Sequence, residues 1–280
     1  MKTQTTSKTD FKALLKNNDE VARQLRVKIL QMIHAAKSGH PGGSFSVLEI
    51  LMTLFGDVMR FDPDNPEWED RDRCILSKGH GVPALYAVLA ECGFFPKDWL
   101  MSFRQLGSPL QGHPDRFRMP AVEAATGSLG QGLSIAQGIA LAGKVDRKDY
   151  RVFCVMGDGE IQEGQVWEAA MSAPKFKLDN LTAIIDYNHG QIDGRTDDVM
   201  NLEPLMDKWR SFNWHTLEVD GHHREDLKAA LKKTKKDSPT LIVAHTIKGK
   251  GVSFMEGGID WHGVAPNDDE LARAMKELQK

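Results

Sequence analysis

The sequence predicts an α/β fold: a doubly wound, mostly parallel sheet with helices on both faces. Three observations carry that expectation. Short apolar runs of strand character alternate with helical stretches along most of the chain. Two successive runs, Tyr150 to Met156 and Leu181 to Asp186, look buried and end in polar tips, Gly157-Asp158-Gly159 and Asp186-Tyr187-Asn188. With 280 residues, 41% apolar and 27% charged, the chain can bury a sizeable core without disulfides or structural metals.

Taken in order, residues 1–18 read as a polar leader and residues 19–280 as a single domain. "DEVARQLRVKILQMIHAAK" places Val21, Leu25, Ile29, Met32 and Ile33 at helical spacing. "SGHPGG" (Ser38 to Gly43) breaks that helix, and "SVLEILMTLFGDVM" forms a second, apolar one. After a loop rich in prolines and acids, "RCILS" reads as a strand running into "KGHG", and "VPALYAVLAECG" returns to helix. Pro109 to Pro120 is loop and holds His113. "TGSLGQG" is a glycine-rich turn feeding a helix apolar almost all round, which predicts burial against another layer. Gly164 to Ala173 is the next helix. "NWHTLEVDG" and "PTLIVAHTIKGKG" are two further strands, with "REDLKAALKKTKK" as the helix between them. Asn267, followed by Asp268, Asp269 and Glu270, reads as the cap of a last helix with which the chain finishes.

The formal net charge of −3 offers no field for nucleic acid or an anionic membrane. The run Lys232-Lys233-Thr234-Lys235-Lys236 reads as a solvated helix end. Cys74, Cys92 and Cys154 are widely spaced and form no C-x-x-C, as in a reducing compartment. The N-terminus lacks the apolar centre of a signal peptide, and no apolar run reaches the roughly 18 residues of a membrane span. The expected location is cytoplasmic.

In an open parallel sheet, ligands bind beyond the carboxyl ends of the strands. Asp158 and Asn188 stand at two such ends, thirty positions apart, the length of one βαβ crossover. Both present hard oxygens, suited to Mg²⁺ or Ca²⁺ rather than zinc. Gly157 and Gly159 leave backbone open to a phosphate, and nearby helix N-termini would add amide donors. Singly, Asp158 also reads as an N-cap and Asn188 as a turn residue; as a pair they read as ligands of a metal-held diphosphate. A Walker loop is excluded, because Gln165-Val166 follow Gly164 where Lys-Ser/Thr would stand.

Four of the ten histidines lie on glycine-marked loops: "SGHPGG" (His40), "SKGHG" (His80), "QGHPD" (His113) and "DWHGV" (His262). Each alone is an ordinary turn histidine. Four such loops in one α/β chain suggest a shared pocket able to move protons near neutral pH. No metal-ligand spacing or cysteine partner points to zinc.

The G-D-G with its asparagine thirty residues on resembles the thiamine diphosphate signature. "GDGEIQEGQVWEAA", with "SGHPGG", "SKGH", "GHPD" and "GSLGQG" in order, resembles the transketolase family over roughly Val21 to Pro266. The resemblance implies that Asp158, Asn188 and the Gly190 carbonyl bind Mg²⁺, the glycine standing where most relatives carry an aliphatic residue. It implies diphosphate contacts from His80 and His262, beside Gly157 and Gly159, and proton transfer by His40 and His113 in the substrate channel. Gly127, Leu129 and Gly130 would wrap the thiazolium side, with Ile192 nearby. "KGKGVSFMEGGIDWHG" departs from the family pattern, which leaves His262 the least matched of the four. His34, His189, His215, His222, His223 and His245 are left as structural.

Family enzymes pass a two-carbon ketol unit from a ketose phosphate to an aldose, and they carry a second, pyrimidine-binding domain with an activating glutamate. Only "NDDELARAMKELQK" follows "WHGVAP" here. The resemblance therefore implies a split enzyme: a partner chain with the pyrimidine-binding and C-terminal domains, in a heterotetramer of pentose phosphate or other carbohydrate metabolism. Glu163 and the small-residue helix from Gly132 to Ala142 would lie near that junction or, for the helix, in the core. The alternatives are part of another thiamine enzyme, such as a 2-oxo acid dehydrogenase or a deoxyxylulose phosphate synthase, and a non-catalytic cofactor-binding module. "SGHPGG" and "GHPD" together with "GSLGQG" argue against the former, and the intact Asp158, Asn188 and loop histidines against the latter.

Overall fold

The computed structural model describes residues 18–279. Of the expected leader only Asn18 is among them, as the first residue of a helix; the rest lies outside the described residues. Among the described residues seven strands follow in chain order: β1 (Arg73–Leu76), β2 (Val152–Gly157), β3 (Leu181–Tyr187), β4 (Gly190–Gln191), β5 (Gly194–Arg195), β6 (His215–Asp220) and β7 (Thr240–His245). Five of them form one sheet in the order β1-β2-β3-β7-β6, with every neighbouring pair parallel. The short β4 and β5 pair antiparallel as a separate ribbon.

Alternate residues of each inner strand enter opposite cores. Phe153, Val155, Ile184, Ile242 and Ala244 pack with helices Asn18–Ala36, Leu48–Thr53, Val82–Glu91, Arg224–Ala230 and Asp268–Leu278. Cys154, Met156, Ala183, Ile185, Leu241 and Val243 pack with Gly132–Val145, Gly164–Lys175 and Leu205–Ser211. Both faces are covered, which is why β2 and β3 are buried throughout and read as unbroken apolar runs. The edge strand β6 is mostly half-buried or exposed, and its sequence alternates accordingly.

Two elements differ from expectation. The break at "SGHPGG" is shorter than read, because Pro41 starts a helix (Pro41–Ser46) at the position where a missing N–H costs nothing. The apolar stretch beyond it divides into Leu48–Thr53 and a π-helical turn, Leu54–Val58. Helix Gly132–Val145 is not buried all round. Leu133, Ala136, Ala140 and Gly143 are buried, while Ile135 is 36% and Val145 73% exposed. Among the described residues, the sheet and helix Gly164–Lys175 pack on its buried side.

The last helix is capped as its sequence suggests. Asn267 accepts the Glu270 N–H at 2.9 Å, and the Glu270 carboxylate accepts the Asn267 N–H at 2.9 Å. Asn267→Ala removes one arm of this box and should cost about 1 kcal/mol, lowering the thermal midpoint by roughly 2–4 °C. A melting curve superimposable on that of the wild type would show that the cap contributes nothing.

Candidate functional site at the carboxyl ends of the strands

Parallel pairing sets Gly157 opposite Asp186 and Asp186 opposite Ala244, so the ends of β2, β3 and β7 lie side by side. The segments leaving them, with the one leaving β1, supply Asp158, Asn188, Lys248 and His80 to one cleft of about 270 Å³. Leu129, Gly157, Gly159, Gly190, Ile192 and His262 line it too. Ile192 is 72% exposed and stands on the rim.

Asp158 is the cap that its sequence allows, and it also lines the cleft. It caps the turn Gly159–Gln162, accepting the Gly159 N–H at 2.8 Å and the His189 N–H with its other oxygen. Only 2% of it is exposed. Burial, then the nearby Asp186 carboxylate, pushes its pKa up to about 6, against the pull of its amide donors and Lys78. Asn188 donates to Ser46 Oγ at 3.3 Å and accepts the Gly190 N–H at 3.1 Å, which orients its amide. The Gly190 carbonyl accepts from Lys248 Nζ at 2.9 Å, and the same ammonium lies 2.8 Å from His262 Nδ1. Burial, then Lys78, lowers Lys248 to about 8.

Behind these groups is a second set that holds the loops. Asp186 accepts hydrogen bonds from Lys78 Nζ, Thr246 Oγ1 and Ser46 Oγ, the last at 2.6 Å. Burial would raise its pKa, but Lys78 and the two hydroxyls hold it below the usual range. Glu160 accepts from Gly130 N and Gly157 N, each at 3.0 Å, and from Ser77 Oγ. It thereby ties the "GSLGQG" turn to the tips of β1 and β2. Gly127 lies one step back, where an added Cβ would come within 3.1 Å of the His113 ring.

The four loop histidines converge. His40 is central, its ring centroid 5.3 Å from that of His80, 5.7 Å from His262 and 6.2 Å from His113. His80 and His262 are 5.1 Å apart. Backbone bonds set this geometry: Gly42 N donates to Trp261 O at 3.1 Å, and Gly249 N to Gly42 O at 3.0 Å. A Cβ on Gly42 would meet Trp261 O at 2.9 Å, so glycine lets the His262 loop close on the His40 loop. Burial, with the surrounding cations, lowers His40 to about 4, His262 to about 3 and His80 well below its ordinary value. His113, the most open of the four, is also lowered, by partial burial and then Arg104. At neutral pH the cluster is uncharged imidazole beside two buried lysines.

Among the described residues no group of three or more His, Cys, Asp or Glu could hold a metal ion. The Asp158 carboxylate, Asn188 amide and Gly190 carbonyl are an oxygen set of the kind that holds a hard divalent cation. An ammonium already rests on one of those oxygens, so the donors fit a cation, and the lysine-lined cleft fits an anion beside it. No described helix is long and apolar enough to cross a membrane.

Residues 17–279 match the family model described as transketolase, thiamine diphosphate binding domain. The chain belongs to the transketolase family. It is 44% identical over 261 residues to the 6-deoxy-6-sulfo-D-fructose transketolase subunit SqwG of a Clostridium species, covering 92% of this chain and 95% of that one. It is 43% identical over 258 residues to one of the apulose-4-phosphate transketolase subunits of Phocaeicola vulgatus, covering 91% of each. Against the human transketolase the identity is 44%, over 87% of this chain but 39% of the longer one. The crystal structure of Campylobacter jejuni transketolase superposes with a TM-score of 0.87 at 34% identity, over 93% of this chain and 42% of that one. This transketolase-family chain thus spans about two fifths of those longer enzymes, and nearly the whole of the two named as subunits.

Lys78, Lys248 and Glu160 line the cleft and Asp186 braces it, and the sequence alone does not single out any of the four. The two lysines stand in glycine-flanked "SKGH" and "IKGK" beyond strands, the one local signal that could have marked them.

The Asp158 carboxyl keeps its proton in the folded chain up to about pH 6 and loses it near 3.8 when unfolded. Between those values the folded state binds more protons, so this group's contribution to stability falls as pH rises. Moving a carboxyl from 3.8 to about 6 corresponds to on the order of 3 kcal/mol at most. The melting midpoint of Asp158→Asn, which keeps one of the two acceptor oxygens, should therefore shift in the variant's favour relative to the wild type from pH 5 to pH 7 without ligand. An equal margin at both pH values would contradict the assignment.

Proposed function

We propose that this chain, one domain from residue 19 onward, is the diphosphate- and Mg²⁺-binding subunit of a cytoplasmic two-chain transketolase. The observation that supports it most is the meeting of the three-oxygen set with two buried lysines and the uncharged His80 and His262 imidazoles in one cleft, with His40 beside those two rings and His113 beside His40. Asp158, Asn188 and the Gly190 carbonyl would hold Mg²⁺, and Ca²⁺ suits the same donors. Lys248, His80 and His262, beside Gly157 and Gly159, would hold the diphosphate. With a metal on the Gly190 carbonyl, the Lys248 ammonium that now donates to it would be free for that anion. Gly127, Leu129, Gly130 and Ile192 would flank the thiazolium side. Bound thiamine diphosphate supplies a nucleophilic carbon and an electron sink for carbon–carbon cleavage.

His40 and His113 are the groups to take and return the proton of the sugar hydroxyl. An imidazole uncharged at neutral pH accepts that proton, and neighbouring cations lower the cost of giving it back. The donor is a ketose with an anionic group at its far end, as in the sulfonate and phosphate sugars for which the two subunit relatives are named. Pentose phosphates belong to the same class.

The partner is a chain carrying the pyrimidine-binding and C-terminal domains, in a heterotetramer. Exposed Glu163 and the open face of helix Gly132–Val145, with Ile135 and Val145, would lie at that junction. An interface that completes an active site is expected to be large and apolar.

A tagged copy should co-elute from its own cells with a second chain, and the eluate should transfer ketol units only with thiamine diphosphate and Mg²⁺. Asp158→Ala should lower that activity by roughly 100-fold or more while leaving co-elution intact. Cofactor binding without any partner or activity would favour the non-catalytic module instead.

A further inference from the structure

Arg104 lies on the loop ahead of His113, and none of the roles described above uses it. Its backbone has φ of +59°, a left-handed conformation unfavourable for a residue with a side chain. Its guanidinium lies behind the imidazole cluster. Nη1 donates to Ser38 Oγ at 3.2 Å, two residues before His40, and Nη2 donates to the Gly112 carbonyl at 3.2 Å, one residue before His113. An added Cβ at Gly112 would lie 2.6 Å from the guanidinium carbon, so a side chain there would displace the guanidinium. Nε is buried without a partner, and no carboxylate among the described residues pairs with the charge. The nearest acid on the loop, Asp115, faces Arg118 and the Phe117 N–H instead.

We propose that Arg104 is a positioning residue of the imidazole cluster: it ties the His40 loop to the His113 loop and places a positive charge without a counter-ion behind both rings. The need for such a tie is visible at His40, whose Nδ1 is buried with no hydrogen-bond partner. That ring is held only by its loop and its neighbours. The groups that face it are Lys78 and His80 beyond β1, Arg104 and His113 on the intervening loop, Lys248 beyond β7, and His262. None is an acid. Facing Arg104 is the Tyr86 hydroxyl, kept neutral by burial. After burial, Arg104 is the first influence that holds both His40 and His113 below their ordinary pKa. An arginine retains its charge at every working pH, so its effect is constant where a lysine or histidine could lose it.

The consequence rests on the proposed function, since uncharged imidazoles matter there as proton acceptors, but the geometry can be tested in this chain alone. Histidine-labelled protein, titrated by NMR, would be compared with Arg104→Gln, Arg104→Lys and Gly112→Ala, with amide exchange followed in residues 109–114. Arg104→Gln should raise the His40 titration by about one pH unit, and that of the more open His113 by less. Arg104→Lys should keep the titrations near those of the wild type yet speed loop exchange roughly tenfold, because a point charge replaces a planar clamp. Gly112→Ala, which displaces the guanidinium without deleting it, should also speed exchange. If Arg104→Gln proves too unstable, the other two variants decide the clamp.

Titrations and exchange unchanged in all variants overturn the proposal. Faster exchange with unchanged titrations overturns its electrostatic half. In the assembled two-chain enzyme, Arg104→Gln should move the acid limb of kcat to higher pH with KM unchanged. An assembly inactive even as wild type would count against the proposed function and leave the titrations to decide the role of Arg104.

Discussion

The site depends on one buried ion pair. Lys78 is 1% and Asp186 0% exposed, and removing such charges from water costs several kcal/mol each unless the charges are paired and hydrogen-bonded. Here they are. Lys78 Nζ donates to Asp186 and to the Gly43 carbonyl, and Asp186 accepts as well from Ser46 and Thr246. These partners belong to the helix that begins beside His40, to the turn that carries His80, to the strand that ends at Asn188, and to the strand that leads to Lys248. The requirement that one buried carboxylate be fully satisfied thus fixes four site-bearing segments against each other. A partly satisfied network would be worse than an apolar core, which makes the register at the strand ends an all-or-none feature.

Around that pair, the remaining groups are displaced from their ordinary protonation in a consistent sense. Asp158 is raised, while Lys248 and the four histidines are lowered, and burial is the leading cause for every one. Each group is being pushed towards its neutral form. A fold built for stability alone would place apolar side chains at these positions. Concentrating displaced groups in one cleft is characteristic of sites that exchange stability for chemistry.

Much of this was legible in the sequence, and the divisions follow physical range. Strands β2 and β3 announced themselves because burial on both faces writes an unbroken apolar run, and Asp158 and Asn188 stood out at their tips. His40, His80, His113 and His262 were marked by neighbouring glycines, although nothing local says that their rings lie within about 6 Å of a common centre. Lys78 and Lys248 were not legible as buried. Lysine is ordinarily a surface residue, and what buries these two is an acceptor distant in sequence: Asp186 for one, the Gly190 carbonyl for the other. The helix Gly132–Val145 misled in the opposite way. Its composition is that of a core helix, but composition cannot say how many of its faces the rest of the chain covers. The order β3-β7-β6 was likewise hidden, since it depends on a crossover that passes over a neighbouring position before the chain returns.

The two kinds of site residue are held by different means, and this matters for what each can do. Asp158 and Asn188 ride directly on strand ends whose register is fixed by the sheet, a rigid setting that suits the cation proposed for them. The histidines ride on loops, which have no ladder to hold them. Their precision comes from loop-to-loop bonds: Gly42 with Trp261 and Gly249, Glu160 with the glycine turns, Arg104 with Ser38 and Gly112. Such bonds bring the rings together where no ladder of strand pairing could. Positional errors of about 1 Å are costly for groups that act on reacting atoms. The glycines that crowd these motifs are therefore as much part of the site as the imidazoles, because they let the loops approach closely enough to clamp one another.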